Sequence, residues 1–328
     1  MLKEKVRQTI KKYHLIKEND HIVLGVSGGP DSTCLFSLFL ELQKEIGFTF
    51  VVCHLNHGIR EEAKREEEYV RKLCEENRIP CYVKKEKVLE KAKQERIGTE
   101  EMGRKVRYAF FEEIANKEQA NKIATAHTKN DLAETTIMNI LRGAGISGLK
   151  GILPIRENKY IRPLIECERG EIEQYCNEQK LEPKIDQSNF DNHYTRNKVR
   201  NQLIPYLKEE YNPNIIEAMA RMASIIRKED EYIDGEVEKA YQEIVLEERE
   251  TEIILNLKSF NGLNEVIKKR MVLYSVRQLF GSSAGIEKKH IEDIILLCRR
   301  NIGNKFLIPN KKVKILVKNQ KIFFIKNQ

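Results

Sequence analysis

Residues 25–33 read GVSGGPDST, set between the apolar runs HIVL (21–24) and CLFSLFLEL (34–42). A strand that runs into Ser27-Gly28-Gly29 and then into a helix turns backbone N–H groups toward the helix N-terminus, where glycines let an anion approach closely. A phosphate fits such a turn. Ser27 and Ser32 add hydroxyl donors, and Pro30 suits the first helical position. Asp31 repels phosphate unless a divalent cation lies between them, so Mg2+ is the expected partner. The P-loop lysine is missing: G-x-x-x-x-G-K-[ST] is absent and no Gly-Lys pair occurs in the chain. An ordinary turn capped by Asp31 or Ser32 accounts for the proline but leaves two glycines and two serines without a purpose.

The surroundings of this turn predict the fold. HIVLGV, FTFVVCHL, PCYVKK and NKIATAH are strand-like, and helical periodicity begins near Asp31, Glu62, Glu100 and Asn130. Strand and helix alternating four times predict an α/β fold, a doubly wound, mainly parallel sheet with helices on both faces and ligands at its carboxyl ends. The motif HLNHGIR (54–60) ends the second strand, and AHTKNDLAET (126–135) follows the fourth. A further strand is expected at YIRPLIE (160–166) and a helix over Arg169–Lys180. The sequence YNPN (211–214) reads as a boundary, giving a catalytic domain over 1–212 and a smaller, mainly helical domain over 213–328. That second domain opens on a long helix from Pro213 to Glu243 and ends in a β-hairpin, KVKILVK and KIFFIK joined by Asn319-Gln320.

Composition excludes several classes. The 328 residues are 41% hydrophobic and 33% charged, with no apolar run long enough to span a bilayer. The start, MLKEKVRQTIKKYHL, is too charged for a secretory signal, so a cytoplasmic protein without a membrane partner is expected. Seven cysteines are scattered with no C-x-x-C, which fits a reducing compartment and speaks against a zinc ribbon. The net charge is +8, and the segment from Arg299 onward carries nine basic residues and no acid. Subtracting those nine leaves the rest at about −1, so the basic excess sits at the C-terminus and favours a polyanion, nucleic acid first.

SGGPDS resembles the S-G-G-x-D-S loop of the PP-loop ATP pyrophosphatases, which cleave ATP between the α- and β-phosphates and adenylate a substrate oxygen. Four more segments resemble one branch of that family, the tRNA(Ile)-lysidine synthetases: HLNHGIR, EEMGRKVRYAFF (100–111), ATAHTKNDLAETTIMNILRGAGISGLKGI (124–152), and RPLIECERGEIEQYC with DQSNFDNHYTRNKVRNQLIPYL (162–207). The resemblance implies ATP, Mg2+, free L-lysine and a tRNA(Ile) with a CAU anticodon, whose wobble cytidine receives lysine at C2. It implies phosphate binding by Ser27, Gly28, Gly29, Pro30, Asp31 and Ser32, and adenosine binding by His54, Asn56, His57 and Arg60. Asp131 and Glu134, three apart on one helical face, are the acids expected for lysine, with Asp31 as the metal ligand. Glu101, Arg104, Arg107 and Tyr108 recur on one predicted helix, and two such arginines can grip phosphate. His127 lines the site, and Arg142, Asn189, Arg196, Asn197 and Arg200 are expected at the tRNA. Gly103 and Leu132 depart from the residues common in that branch, and the chain has no room for the third domain of longer members. A tRNA thiolase of the same fold, or an ATP-sensing RNA-binding protein without chemistry, remains an alternative; a homodimer is also left open.

Overall fold

The computed structural model describes residues 1–56, 62–184, 195–283, 285–300 and 305–327. The chain divides into two units, Met1–Ser224 and Ile225–Gln328. In the first, α1 (Leu2–Lys12) precedes β1 (His21–Gly25), α2 (Pro30–Ile46), β2 (Thr49–Asn56), α3 (Glu62–Glu76), β3 (Cys81–Lys85), α4 (Val88–Glu95), α5 (Thr99–Lys117), β4 (Lys122–Ala124) and α6 (Lys129–Leu141). Then come α7 (Ile146–Leu149), β5 (Ile155–Arg156), β6 (Tyr160–Ile161), α8 (Arg169–Glu178) and α9 (Thr195–Lys198). A π-helical turn (Val199–Leu203) and α10 (Ile204–Glu210) lead to α11 (Ile215–Ile244).

Among the described residues this unit holds a six-stranded sheet in the order β3-β2-β1-β4-β6-β5. All neighbouring pairs are parallel except β5 with β6. Strand alternation explains why helices cover both faces. Ile22, Leu24, Phe50 and Val52 pack with α1, α2, α3 and α8, whereas Val23, Val51 and Cys53 face Phe110, Phe111 and Ile114 of α5. The chain moves outward from β1 to β2 and β3, then returns to place β4 on the other side of β1. Loops leaving β1 and β4 therefore diverge at a switch point of the sheet, the position where such folds bind ligands.

The expected strand over 160–166 is shorter than its apolar run suggests. Only Tyr160–Ile161 is strand. Pro163 has no N–H for a ladder, and the chain turns there with the Ile165 amide donating to the Arg162 carbonyl at 3.2 Å.

The second unit contains the later part of α11, then β7 (Val245–Glu248), β8 (Glu252–Asn256), α12 (Leu257–Gly262), α13 (Glu265–Phe280), α14 (Lys288–Arg300), β9 (Lys305–Asn310), β10 (Val313–Lys318) and β11 (Lys321–Lys326). The terminal hairpin forms with Lys318 opposite Lys321, and Asn319 and Gln320 both take left-handed backbone, φ 51° and 58°. That is the primed two-residue turn whose twist matches paired strands. The hairpin is part of a five-stranded antiparallel sheet among the described residues, β7-β8-β11-β10-β9, so this unit carries more strand than its sequence suggested. Ile253, Leu255, Val313, Ile315, Val317, Ile322 and Phe324 share one face of it and pack on Met271, Val272, Val276, Ile294 and Ile295 of the helices.

Gly25, the last residue of β1, fixes how close α5 comes to the phosphate turn. A Cβ placed there would lie 2.5 Å from Cζ of the buried Phe111. Gly25→Ala is expected to cost about 1–3 kcal/mol, as overpacked cores do. Denaturant titration of the two chains measures this, and an unchanged midpoint would show that Phe111 yields freely.

Candidate active site at the carboxyl ends of β1 and β4

The turn after β1 is stitched by its own serines. Ser32 Oγ accepts from the Ser27 amide at 3.1 Å, lies 3.0 Å from Ser27 Oγ, and donates to the Gly29 carbonyl at 3.1 Å. Gly28 has φ 93°, a conformation that strains any side chain. The cap of α2 is Gly29, not Asp31 or Ser32, with Pro30 at the first helical position. Helix geometry leaves the amides of Asp31 and Ser32 without an intrahelical acceptor, so they are available to an anion. From a distant segment, the Lys184 amide donates to the Gly28 carbonyl at 2.9 Å and pins the turn.

Asp31 sits at this helix start with Oδ1 buried and without a hydrogen-bond partner. Burial, reinforced by the negative charge of Asp131, pushes its pKa up from 3.8 to about 6, while Arg169 and Arg200 pull the other way. Arg169 Nη2 lies 3.9 Å from Asp31 Oδ2. Its backbone is held by Asn130 Oδ1, which accepts from the Arg169 amide at 2.9 Å.

At the end of β2, His54 is buried and its Nδ1 is 2.9 Å from the Val26 carbonyl, so that nitrogen is the donor. Nε2 is left as an acceptor with no partner, and burial lowers the pKa, keeping the ring neutral. Asn56 instead donates Nδ2 to Glu67 Oε2 at 2.9 Å, within a cluster that also holds Arg71 and Lys85. His57, Arg60 and Asn189 lie outside the described residues.

After β4, His127 Nδ1 lies 2.9 Å from Thr125 Oγ1, and burial lowers its pKa to about 3, so it is neutral at pH 7. Thr128 and Asp131 then form a capping box at the start of α6. Asp131 Oδ2 accepts from the Thr128 amide at 2.8 Å and its hydroxyl at 3.0 Å. The remaining oxygen, Oδ1, accepts from Arg196 Nη2 at 2.9 Å and Arg200 Nη2 at 3.1 Å. Glu134 accepts from Arg196 Nε at 2.9 Å, Arg200 Nε at 2.6 Å and Arg200 Nη2 at 2.9 Å. Packing makes this meeting possible: Ala133 and Ile137 of α6 bury against Val199, Ile204 and Ile216, which sets Arg196 and Arg200 over the acids. Burial opposes the charge on Asp131, but Arg196, the Thr128 amide and Arg200 outweigh it and hold the carboxyl below its ordinary range.

Four expected residues, Asp131, Glu134, Arg196 and Arg200, thus form one cluster, and Asp31 feels its charge. Asn197 lies between the two arginines, half-buried. Glu101, Arg104 and Arg107 are exposed on α5, with Arg104 stacked on Tyr108 at 5.4 Å. Arg142 caps the far end of α6, exposed and roughly 16 Å along the axis from Asp131, so it does not join the cluster. Three arginines escaped the sequence reading although they stand in quoted segments or beside them. They are Arg169, Arg162, whose Nη1 donates to the Leu153 carbonyl with Nε buried and unpartnered, and Arg156, stacked 4.2 Å from the Tyr160 ring centroid.

A family profile described as a PP-loop domain matches residues 2–207. A protein named tRNA(Ile)-lysidine synthase from Clostridioides difficile (strain 630) is 41% identical, covering 98% of this chain and 71% of the relative. The chain belongs to the tRNA(Ile)-lysidine synthase family. A relative of the same name from Clostridium acetobutylicum is also 41% identical, over 93% of this chain and 66% of its own length. The chain therefore spans roughly two thirds of the length of these lysidine synthases. Among solved structures, the U34-tRNA thiolase NcsA from Methanococcus maripaludis with its [4Fe-4S] cluster superposes with a TM-score of 0.56 at 18% identity, covering 69% of this chain and 78% of the other. That likeness speaks to the fold alone.

The raised pKa of Asp31 fixes a sign. Below pH 3.8 the carboxyl is protonated folded or unfolded; as pH rises through about 6, the folded state must ionise a buried group and loses stability. Asp31→Asn is expected to stabilise the chain at pH 7 by about 1–2 kcal/mol in the presence of a chelator, with the gain vanishing below about pH 4. Urea unfolding of both chains at the two pH values checks it; equal or lower stability of the variant at pH 7 contradicts it.

Proposed function

We propose that this chain ligates free L-lysine to C2 of the wobble cytidine in the CAU anticodon of tRNA(Ile), consuming ATP and releasing AMP and pyrophosphate. One observation carries the reading. A lysine-free phosphate turn and an acid pair lie at neighbouring strand ends, in a chain 41% identical over 98% of its length to a lysidine synthase.

The chemistry follows from leaving groups. The C2 oxygen of cytidine departs poorly, so it first attacks the α-phosphorus of ATP and expels pyrophosphate. The ε-amine of lysine then attacks C2, loses a proton, and AMP leaves with the former C2 oxygen. The turn over Ser27, Gly28, Gly29, Pro30, Asp31 and Ser32 holds pyrophosphate through amides and hydroxyls. His54, Asn56, His57 and Arg60 are assigned to adenosine, and the neutral His54 ring offers Nε2 as an acceptor. Asp131 and Glu134 orient lysine, and a carboxylate takes the proton. His127, neutral, lines the site without charging it. Arg104, Arg107, Arg142, Arg196, Asn197 and Arg200 are assigned to tRNA.

Mg2+ suits the donor set. Asp31 offers a buried, unpartnered oxygen, and among the described residues no three His, Cys, Asp or Glu side chains converge on a common point. That favours an ion held by one carboxylate and substrate phosphates over a cage made by protein alone. When bound, it would offset phosphate charge beside Asp31.

We place catalysis in residues 1–212 and tRNA binding in 213–328, where the lysines of the terminal hairpin supply attraction for RNA. The reaction is assigned to the cytoplasm; among the described residues no helix is long and apolar enough to cross a membrane. The thiolase alternative is supported only by a fold likeness at 18% identity.

Sustained release of AMP and pyrophosphate is expected only when lysine and a CAU-anticodon tRNA are both present, since without lysine the reaction stops at the adenylate. ADP as product, or turnover indifferent to lysine, would sink the proposal. Asp31→Ala should abolish adenylate formation; a variant that still forms the adenylate removes the metal role given to Asp31.

A further inference from the structure

The two acids assigned to lysine are already saturated. Five hydrogen bonds from two guanidiniums reach Asp131 and Glu134, and Thr128 occupies the remaining Asp131 oxygen. Two negative charges meet two positive ones, so an arriving ammonium finds no net negative charge. The same geometry ties up Arg196 and Arg200, the groups assigned to RNA phosphate. Arginine lies outermost: the guanidinium side chains are 24% and 18% exposed, against 11% for Asp131 and 1% for Glu134.

We propose that lysine and tRNA enter this cluster by exchanging ion-pair partners, the carboxylates passing to the lysine ammonium groups and the guanidiniums to RNA phosphate. Arg196 and Arg200 are then specificity-determining residues, because they make the lysine site conditional on RNA. The inference rests on the reading that Asp131 and Glu134 bind lysine.

Charge burial supplies the coupling. Lysine alone would push two guanidiniums off their acids with no anion to receive them. RNA alone would leave Glu134, almost fully buried, as an uncompensated carboxylate, which is the costly way to break such a pair. Together the two ligands leave every charge partnered. The arginines are also carried by backbone suited to rearrangement: α9 is four residues long, and Arg200 stands in a π-helical turn, a geometry that recurs at functional sites. The acids, in contrast, are fixed by the capping box and by the packed face of α6. Movement is therefore assigned to the arginines.

Coupling of this kind is reciprocal and measurable. Equilibrium dialysis of labelled lysine against the full chain, without ATP, should show affinity about tenfold or more tighter when CAU-anticodon tRNA is present. Saturating lysine should tighten tRNA binding by the same factor. Arg196→Gln and Arg200→Gln, tested singly, should bind lysine more tightly than the unmodified chain in the absence of tRNA, with the coupling reduced toward one. Lysine affinity indifferent to tRNA in the unmodified chain overturns the exchange, and that measurement needs no variant to fold. Weaker lysine binding in both variants, with thermal unfolding midpoints unchanged, overturns it as well. Lysine binding absent in every state contradicts the assignment of the acids themselves, whereas binding without coupling contradicts only the exchange.

Discussion

Asp131 and Glu134 are buried with Arg196 and Arg200 against them at 2.6–3.1 Å, so opposite charges meet inside the protein. This charge balance joins parts of the chain more than sixty residues apart and governs what the neighbouring groups do. Burial, with the field of Asp131 added, drives Asp31 toward its neutral form. His127, half-buried among arginines, stays unprotonated. Arginines already stand against all three carboxylates, Arg169 beside Asp31 and Arg196 and Arg200 against Asp131 and Glu134, so a cation entering here has to displace a partner.

The glycine turn fits this logic. A P-loop lysine serves transfer of a terminal phosphoryl group, where a fixed cation beside the γ-phosphate is useful. Here the turn offers amides, hydroxyls and a buried carboxylate, which suits pyrophosphate leaving with a cation of its own. The cost falls on stability, since a carboxyl with one buried, unpartnered oxygen is retained where an amide would fold more favourably. Such sites commonly keep a residue that function needs and folding does not.

Much of the frame was legible in the sequence because it follows from periodicity and turn chemistry. Four strand–helix repeats gave the parallel sheet, and two adjacent glycines marked the turn between β1 and α2. The pair Asn319-Gln320 between apolar strands gave the hairpin, whose turn indeed takes left-handed backbone at both residues. The acids three apart on α6 were legible for the same reason. What escaped depends on long-range packing. Nothing local says that Arg169 reaches Asp31, that Lys184 pins Gly28, or that Asn56 is held by Glu67. The strands VLEE (β7) and EIILN (β8) are short and partly charged, and they become strands only by pairing with each other and with β11. The length of α6 likewise carries Arg142, exposed at its far end, away from the cluster.

The central claim is that ATP is spent on making the C2 oxygen of cytidine a leaving group. Oxygen-18 at C2 of the wobble cytidine, followed by mass spectrometry of the products, tests this most directly. The account predicts one labelled oxygen in AMP for each lysine attached. Label retained in the tRNA, or released to water while AMP stays unlabelled, would contradict it.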